Sequence, residues 1–142
     1  MKKDVLMAVL ILPLFILMSP SIVNAQSLSA DDVKTQMVKE WERAKVYTNE
    51  YLNTMPAAKY SYKAVDSIRS FAQQMLHLAG GNVFLMSSAS TDKGPSFGAG
   101  LENRPGAQTK DSVMYYVNAS YDYCINAVKN SDLSKWLNPK PT

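Results

Sequence analysis

The stretch S-F-A-Q-Q-M-L-H-L-A, residues 70–79, contains a helix start, apolar residues at helical spacing and the only histidine of the chain. Ser70 and Gln73 have the spacing of a capping box, in which each side chain accepts a hydrogen bond from the other residue's backbone N–H. A helix is therefore predicted to begin at Phe71 and to run to about residue 87. His77 is expected at the edge of its apolar face, which is formed by Phe71, Met75 and Leu78.

Two adjacent glycines, Gly80 and Gly81, interrupt the pattern of this helix. Glycine inside a helix costs about 1 kcal/mol relative to alanine, so the pair needs a structural reason. Either the helix kinks there, or a neighbouring helix comes so close that a Cβ would collide. A hinge is a third interpretation, and no phosphate-binding loop pattern accompanies the pair.

A longer helix is predicted upstream, over residues 29–55. Ser29 can cap its start, Asp31 and Asp32 suit the positive end of the helix dipole, and Pro56 ends it. Its apolar stripe is formed by Val33, Met37, Trp41, Ala44, Thr48, Tyr51 and Met55. We interpret Trp41, Tyr47 and Tyr51 as core residues rather than a platform for ligand stacking.

A third helix is predicted over residues 110–130, with Thr109 as its cap. Its stripe is formed by Val113, Val117, Tyr121, Cys124 and Val128. Cys124 therefore faces the core, where a structural thiol is more plausible than a nucleophile paired with His77. A further short helical turn is expected over residues 131–137.

Two segments connect these helices. Residues 57–69 predict an ordered connection, because one short alternating run without a partner strand cannot bury a sheet face. Residues 88–108 are rich in glycine and proline. This segment is interpreted as a solvated loop, with a cover over one end of the bundle, or a lid, as the alternative.

The first 25 residues are typical of a secretory signal peptide: Lys2 and Lys3, a fourteen-residue apolar run, then a small-residue site ending at Ala25. The apolar run is shorter than the ~20 residues that a membrane span needs. We expect cleavage after Ala25 and a periplasmic or secreted protein without a stable membrane anchor.

The remaining residues, 26–142, predict one domain. Without the leader the net charge falls from +3 to +2, with no basic block, which argues against nucleic-acid binding. A single cysteine excludes an intramolecular disulfide. The expected fold is an all-α helical bundle with three long helices, whose fourth helix is absent or truncated.

Two motifs resemble the DinB superfamily, in particular its exported bacterial members: W-E-R-A-K-x-Y-T-x-E-Y-L-x-x-M-P, residues 41–56, and R-S-F-A-Q-Q-M-L-H-L-A, residues 69–79. The likeness extends from the first helix to about residue 137. It implies a four-helix bundle, often a homodimer and associated with damage or stress. Related branches are thiol-dependent transferases or isomerases.

The resemblance also implies a divalent metal, zinc or nickel, held by one histidine of the second helix and an H-x-x-x-H pair of the fourth. His77 matches the first ligand, and the sequence contains no other histidine. Three interpretations follow. The chain is a fragment of a metal-binding bundle, it is a bundle in which His77 is structural, or a dimer brings two copies of His77 together.

Two function classes remain open. The first is a metal-dependent enzyme acting on a small-molecule substrate that the sequence does not identify, with metal-bound water as nucleophile or base. The second is a non-catalytic helical module that binds a partner helix or a second copy through an exposed apolar groove between its helices. The sequence favours the second class for activity and the first for ancestry.

Overall fold

The computed structural model describes residues 29–90 and 92–133. Within these ranges the chain forms three α-helices, α1 (Ala30–Thr54), α2 (Phe71–Ala89) and α3 (Lys110–Asn130), and three short 3-10 turns, with no strand. The prediction of an all-α fold with three long helices is confirmed. The leader and most of the turn expected over residues 131–137 lie outside the described ranges.

All three helices begin at the predicted caps. Ser29 forms a capping box with Asp32, and Thr109 accepts a hydrogen bond from the backbone N–H of Ser112. α1 ends at Met55, directly before Pro56, whose ring cannot continue a helix.

Each of the first three backbone N–H groups of α2 donates a hydrogen bond to an acceptor outside the helix. Phe71 and Ala72 donate to the carbonyls of Tyr62 and Tyr60, at 3.0 and 2.8 Å. The Gln73 N–H donates to the Ser70 hydroxyl, and Gln73 accepts from the Ser70 N–H in return. The segment before α2 therefore helps to build the helix end, which confirms an ordered connection over residues 57–69.

α3 is the central helix. It packs against α2 on one side and α1 on the other, while α1 and α2 contact each other only marginally. Its predicted stripe is fully confirmed, because Val113, Val117, Tyr121, Cys124 and Val128 are all buried.

The predicted core face of α2 is wrong by about one residue. Phe71, Met75 and Leu78 are only partly buried and border the core. The buried positions of α2 are instead Ala72, Leu76, Ala79, Gly80, Val83 and Met86. Half of these residues are alanine or glycine, so the apolar character of single residues did not locate the face.

The prediction for α1 is correct in its range and partly wrong in its face. Thr48 and Leu52 are its buried residues, and Trp41 packs edge-on against Tyr121 at 5.9 Å between ring centroids. Tyr47 and Tyr51, predicted as core aromatics, are 53% and 69% exposed. Of the seven stripe residues only Tyr51 is exposed, whereas Met37, Trp41, Ala44 and Met55 pack against the core without being fully buried.

The connection between α2 and α3 is not a solvated loop. Phe97, Leu101 and Ala107 are buried in the core, and Leu101 is fully inaccessible. The segment lies against α2, where Gly98 meets Gly80: a Cβ on Gly80 would be 2.8 Å from the Gly98 carbonyl oxygen. A close approach is thus found at Gly80 but not at Gly81, and the neighbour is this connection and not the predicted helix.

Among the helices that the structure describes, none has the length and apolarity needed to cross a membrane.

Candidate functional site

His77 lies on the outer side of α2, where its imidazole meets a carboxylate from the connection to α3. The Nδ1 atom of His77 is 3.2 Å from Oε1 of Glu102. The two side chains differ in environment, because that of His77 is 49% exposed and that of Glu102 only 15%. Glu102 can therefore orient the ring, since a carboxylate beside Nδ1 favours the tautomer in which Nδ1 carries the proton.

Glu102 reaches His77 because the connection is folded back onto α2. Gly98 rests on Gly80, and Gly100 then adopts a left-handed conformation, with φ of 71°. The next residue, Leu101, is buried in the core, so its neighbour Glu102 is held at the surface directly above α2. The geometry depends on contacts between residues about 20 positions apart in the chain.

Arg69 completes a small charged cluster. Its guanidinium lies 3.7 Å from the same Oε1 atom of Glu102. The pKa of Glu102 is below its ordinary value, chiefly because the residue's own backbone N–H donates to the carboxylate. Partial burial opposes this shift, and His77 and Arg69 add to it. Glu102 is thus a carboxylate at neutral pH.

The cluster does not match the three-histidine metal site that the resemblance implies. In residues 29–90 and 92–133, no group of three or more His, Cys, Asp or Glu side chains is arranged to hold a metal ion. Around His77 the structure offers one imidazole and one carboxylate, and that carboxylate already faces the guanidinium of Arg69. A zinc or nickel ion on His77 remains a prediction, and metal analysis of the purified full chain tests it.

Cys124, the other candidate for chemistry, is structural. It is fully buried, and its thiol donates to the carbonyl of Asn82 with a sulfur–oxygen distance of 3.6 Å. Burial raises the pKa of the thiol to about 12, so it is not a thiolate at neutral pH. His77 is engaged with Glu102 instead, so the predicted preference for a structural cysteine agrees with the geometry.

A second surface lies on α1 beside its contact with the core, and two of its members, Met37 and Ala44, also pack against that core. We call it the outer flank, and it consists of Val33, Met37, Glu40, Arg43, Ala44, Tyr47 and Tyr51. The first six of these line one shallow groove. Glu40 and Arg43, one turn apart, form an ion pair near the middle of α1.

The sequence pointed to His77 but not to Glu102 or Arg69 as its neighbours. Glu102 and Arg104 carried no recognisable motif, and Glu102 is 25 residues from His77. The only local signal was the spacing of Gly98 and Gly100 before Leu101 and Glu102, which is typical of a tight turn that places a side chain.

Comparison of the chain with protein-family models, curated proteins and solved structures finds no match.

Proposed function

We propose that this chain is an exported, DinB-like helical protein that acts as a non-catalytic binding module and pairs with a second copy of itself through the outer flank of α1. The observation that carries the proposal is the arrangement of the outer flank. It combines apolar and aromatic side chains with one acid and one base, and α1 packs extensively against only one of the other described helices.

The apolar part of the flank is larger than an isolated surface residue. Val33, Met37 and Ala44 are half-buried, whereas Tyr47 and Tyr51 extend further into solvent. Tyrosines with one apolar face and one polar end are common in protein interfaces. A helix face of this kind supports packing against another helix.

The charges indicate that the second helix is another copy of α1. In a two-fold antiparallel pair centred near the middle of the helix, Glu40 would face Arg43 of the partner subunit, and the same contact would form a second time by symmetry. The intramolecular ion pair already shows that both side chains reach this surface. A homodimer is thus supported by charge complementarity as well as by apolar area.

A charge-swap series tests this pairing. Sedimentation equilibrium of the full chain, over a wide range of protein concentration, should show a monomer–dimer equilibrium. Glu40→Arg and Arg43→Glu should each weaken dimerisation by about tenfold or more, because like charges then face each other. The double variant should restore most of the affinity.

Tyr47→Ser tests the aromatic contribution, and Tyr62→Ser is its matched control. Tyr62 is 55% exposed and lies in the connection before α2, away from the flank. Loss of dimer in the first variant alone supports the interface. A wild-type protein that stays monomeric at all concentrations would rule out this interface. So would a double charge-swap variant that dimerises as weakly as the single variants.

A further inference from the structure

A small cleft adjoins the His77–Glu102 pair, and it is independent of the outer flank. Its volume is about 190 Å³. It is lined by His77, Gly80, Gly81, Phe84, Gly98, Ala99, Gly100 and Glu102. Four of these are glycines, so the cleft walls are largely backbone.

The cleft presents an apolar surface beside hydrogen-bond acceptors. Phe84 lies two turns beyond His77 on the same side of α2, and its ring is 66% exposed. With Nδ1 of His77 turned to Glu102, the other ring nitrogen, Nε2, has no hydrogen-bond partner among the described residues. In the tautomer that Glu102 favours, Nε2 is an acceptor.

The His77–Glu102 pair does more than hold the connection against α2. Leu101 and Phe97 already anchor the connection in the core, and Gly98 packs directly on Gly80. The contact with Glu102 additionally fixes the orientation of the half-exposed His77 ring. An imidazole fixed at one nitrogen and open at the other is arranged to receive a ligand's proton donor.

We propose that the cleft between His77 and Phe84 binds a small neutral alcohol or phenol, whose hydroxyl donates a hydrogen bond to Nε2 of His77 while its apolar body covers the Phe84 ring. The charge in the cleft favours a neutral ligand, because Glu102 is already balanced by Arg69. The volume limits the ligand to about the size of a single substituted ring.

The test uses phenol as the probe and the imidazole signals of His77 as the readout. Because the chain has one histidine, its NMR signals need no assignment by mutagenesis. Phenol should shift these signals saturably, with a dissociation constant on the order of 1 mM. Anisole, which has the same ring but no hydroxyl donor, should bind about five- to tenfold more weakly.

Two variants separate this site from adventitious binding to apolar surface. Phe84→Ala removes an exposed side chain and should weaken phenol binding while the fold is retained. Glu102→Gln should change the ¹⁵N signature of the imidazole, because an amide no longer fixes the tautomer, and should reduce the preference for phenol over anisole.

Three results would overturn the proposal. They are His77 signals that do not respond to phenol, equal binding of phenol and anisole by the wild-type protein, and unchanged phenol affinity in Phe84→Ala. A ¹⁵N signature showing the proton on Nε2 in the unliganded protein would also contradict the proposed acceptor.

Discussion

The two sides of α3 form seams of different polarity. Toward α2 the seam is mainly apolar: Leu76 and Val83 share one buried cluster with Val113 and Val117, and Asn82 donates a hydrogen bond to the Ser120 hydroxyl at 3.2 Å. Toward α1 the seam combines apolar contacts, such as that of Trp41 with Tyr121, with several polar pairs. Thr48 and Tyr121 share a hydrogen bond of 2.8 Å, Lys45 contacts Asp122 at 2.6 Å, and Asn49 and Asn118 exchange amide hydrogen bonds of 2.8 and 3.0 Å.

This difference assigns different roles to the two seams. The free energy gained from apolar burial is proportional to the buried area and depends little on the direction of the contacts. A hydrogen-bonded pair contributes less free energy, but its geometry allows only one register of the two helices. The seam with α2 therefore depends mainly on apolar burial. The seam with α1 adds directional contacts to apolar ones, because Met37, Trp41 and Ala44 also pack against the core, and the exposed aromatics of its flank are Tyr47 and Tyr51.

The largest expected effect is at the apolar seam. Leu76→Ala should lower the free energy of unfolding by about 2–5 kcal/mol, because Leu76 is fully buried and truncation leaves a cavity. Asp122→Asn at the polar seam is the comparison, since it removes the exposed ion pair with Lys45 and should cost about 0–1 kcal/mol. Urea unfolding followed by circular dichroism measures both, and similar losses would mean that the seams are equivalent.

Alkaline pH should lower the stability of the fold, in part through the buried thiol of Cys124. The pKa of Cys124 is about 12 in the folded protein, against 9.0 for the free thiol. The thiol stays protonated in the native state and ionises in the unfolded state above pH 9, so stability is full below pH 9 and falls as pH rises toward 12. The loss should be on the order of 1–2 kcal/mol between pH 9 and 10.5.

Cys124→Ala isolates this effect from the ionisation of tyrosines. Tyr60, whose pKa is raised by burial and by the charge of Asp111, shifts stability in the same direction and is present in both proteins. The fall in the urea midpoint from pH 8 to pH 10.5 should therefore be larger in the wild-type protein than in Cys124→Ala. The difference between the two falls is the contribution of Cys124. An identical pH dependence in the two proteins would contradict a buried, protonated thiol.

Effects smaller than that of Leu76→Ala, and of opposite sign, are expected at the two adjacent glycines of α2. Gly80→Ala should destabilise by about 1 kcal/mol or more, because the new Cβ would meet the Gly98 backbone oxygen at 2.8 Å, which outweighs the gain in helix propensity. Gly81→Ala has open space around it and should stabilise by about 0.5–1 kcal/mol. Thermal unfolding distinguishes the two, and the same sign in both would show that the connection does not pack on α2 as described.

Helix positions in this protein follow from short-range chemistry and could be predicted. The caps at Ser29, Ser70 and Thr109 and the stop at Pro56 depend only on residues within a few positions of each other. The stripe of α3 was also predictable, because α3 has neighbours on both sides and all five stripe residues are buried. The same reasoning located the stripes of α1 and α2 less well, since each has fewer described neighbours.

The sequence by itself determined the all-α class, the three helices with their ends, and the burial of Cys124. Only the tertiary structure decided which part of each stripe is covered, that the connection before α3 enters the core, and that Glu102 contacts both His77 and Arg69. The physical reason is distance along the chain. Caps and periodicity are local, whereas the His77 cluster depends on Gly98 packing on Gly80 and on burial of Leu101, which no local pattern specifies.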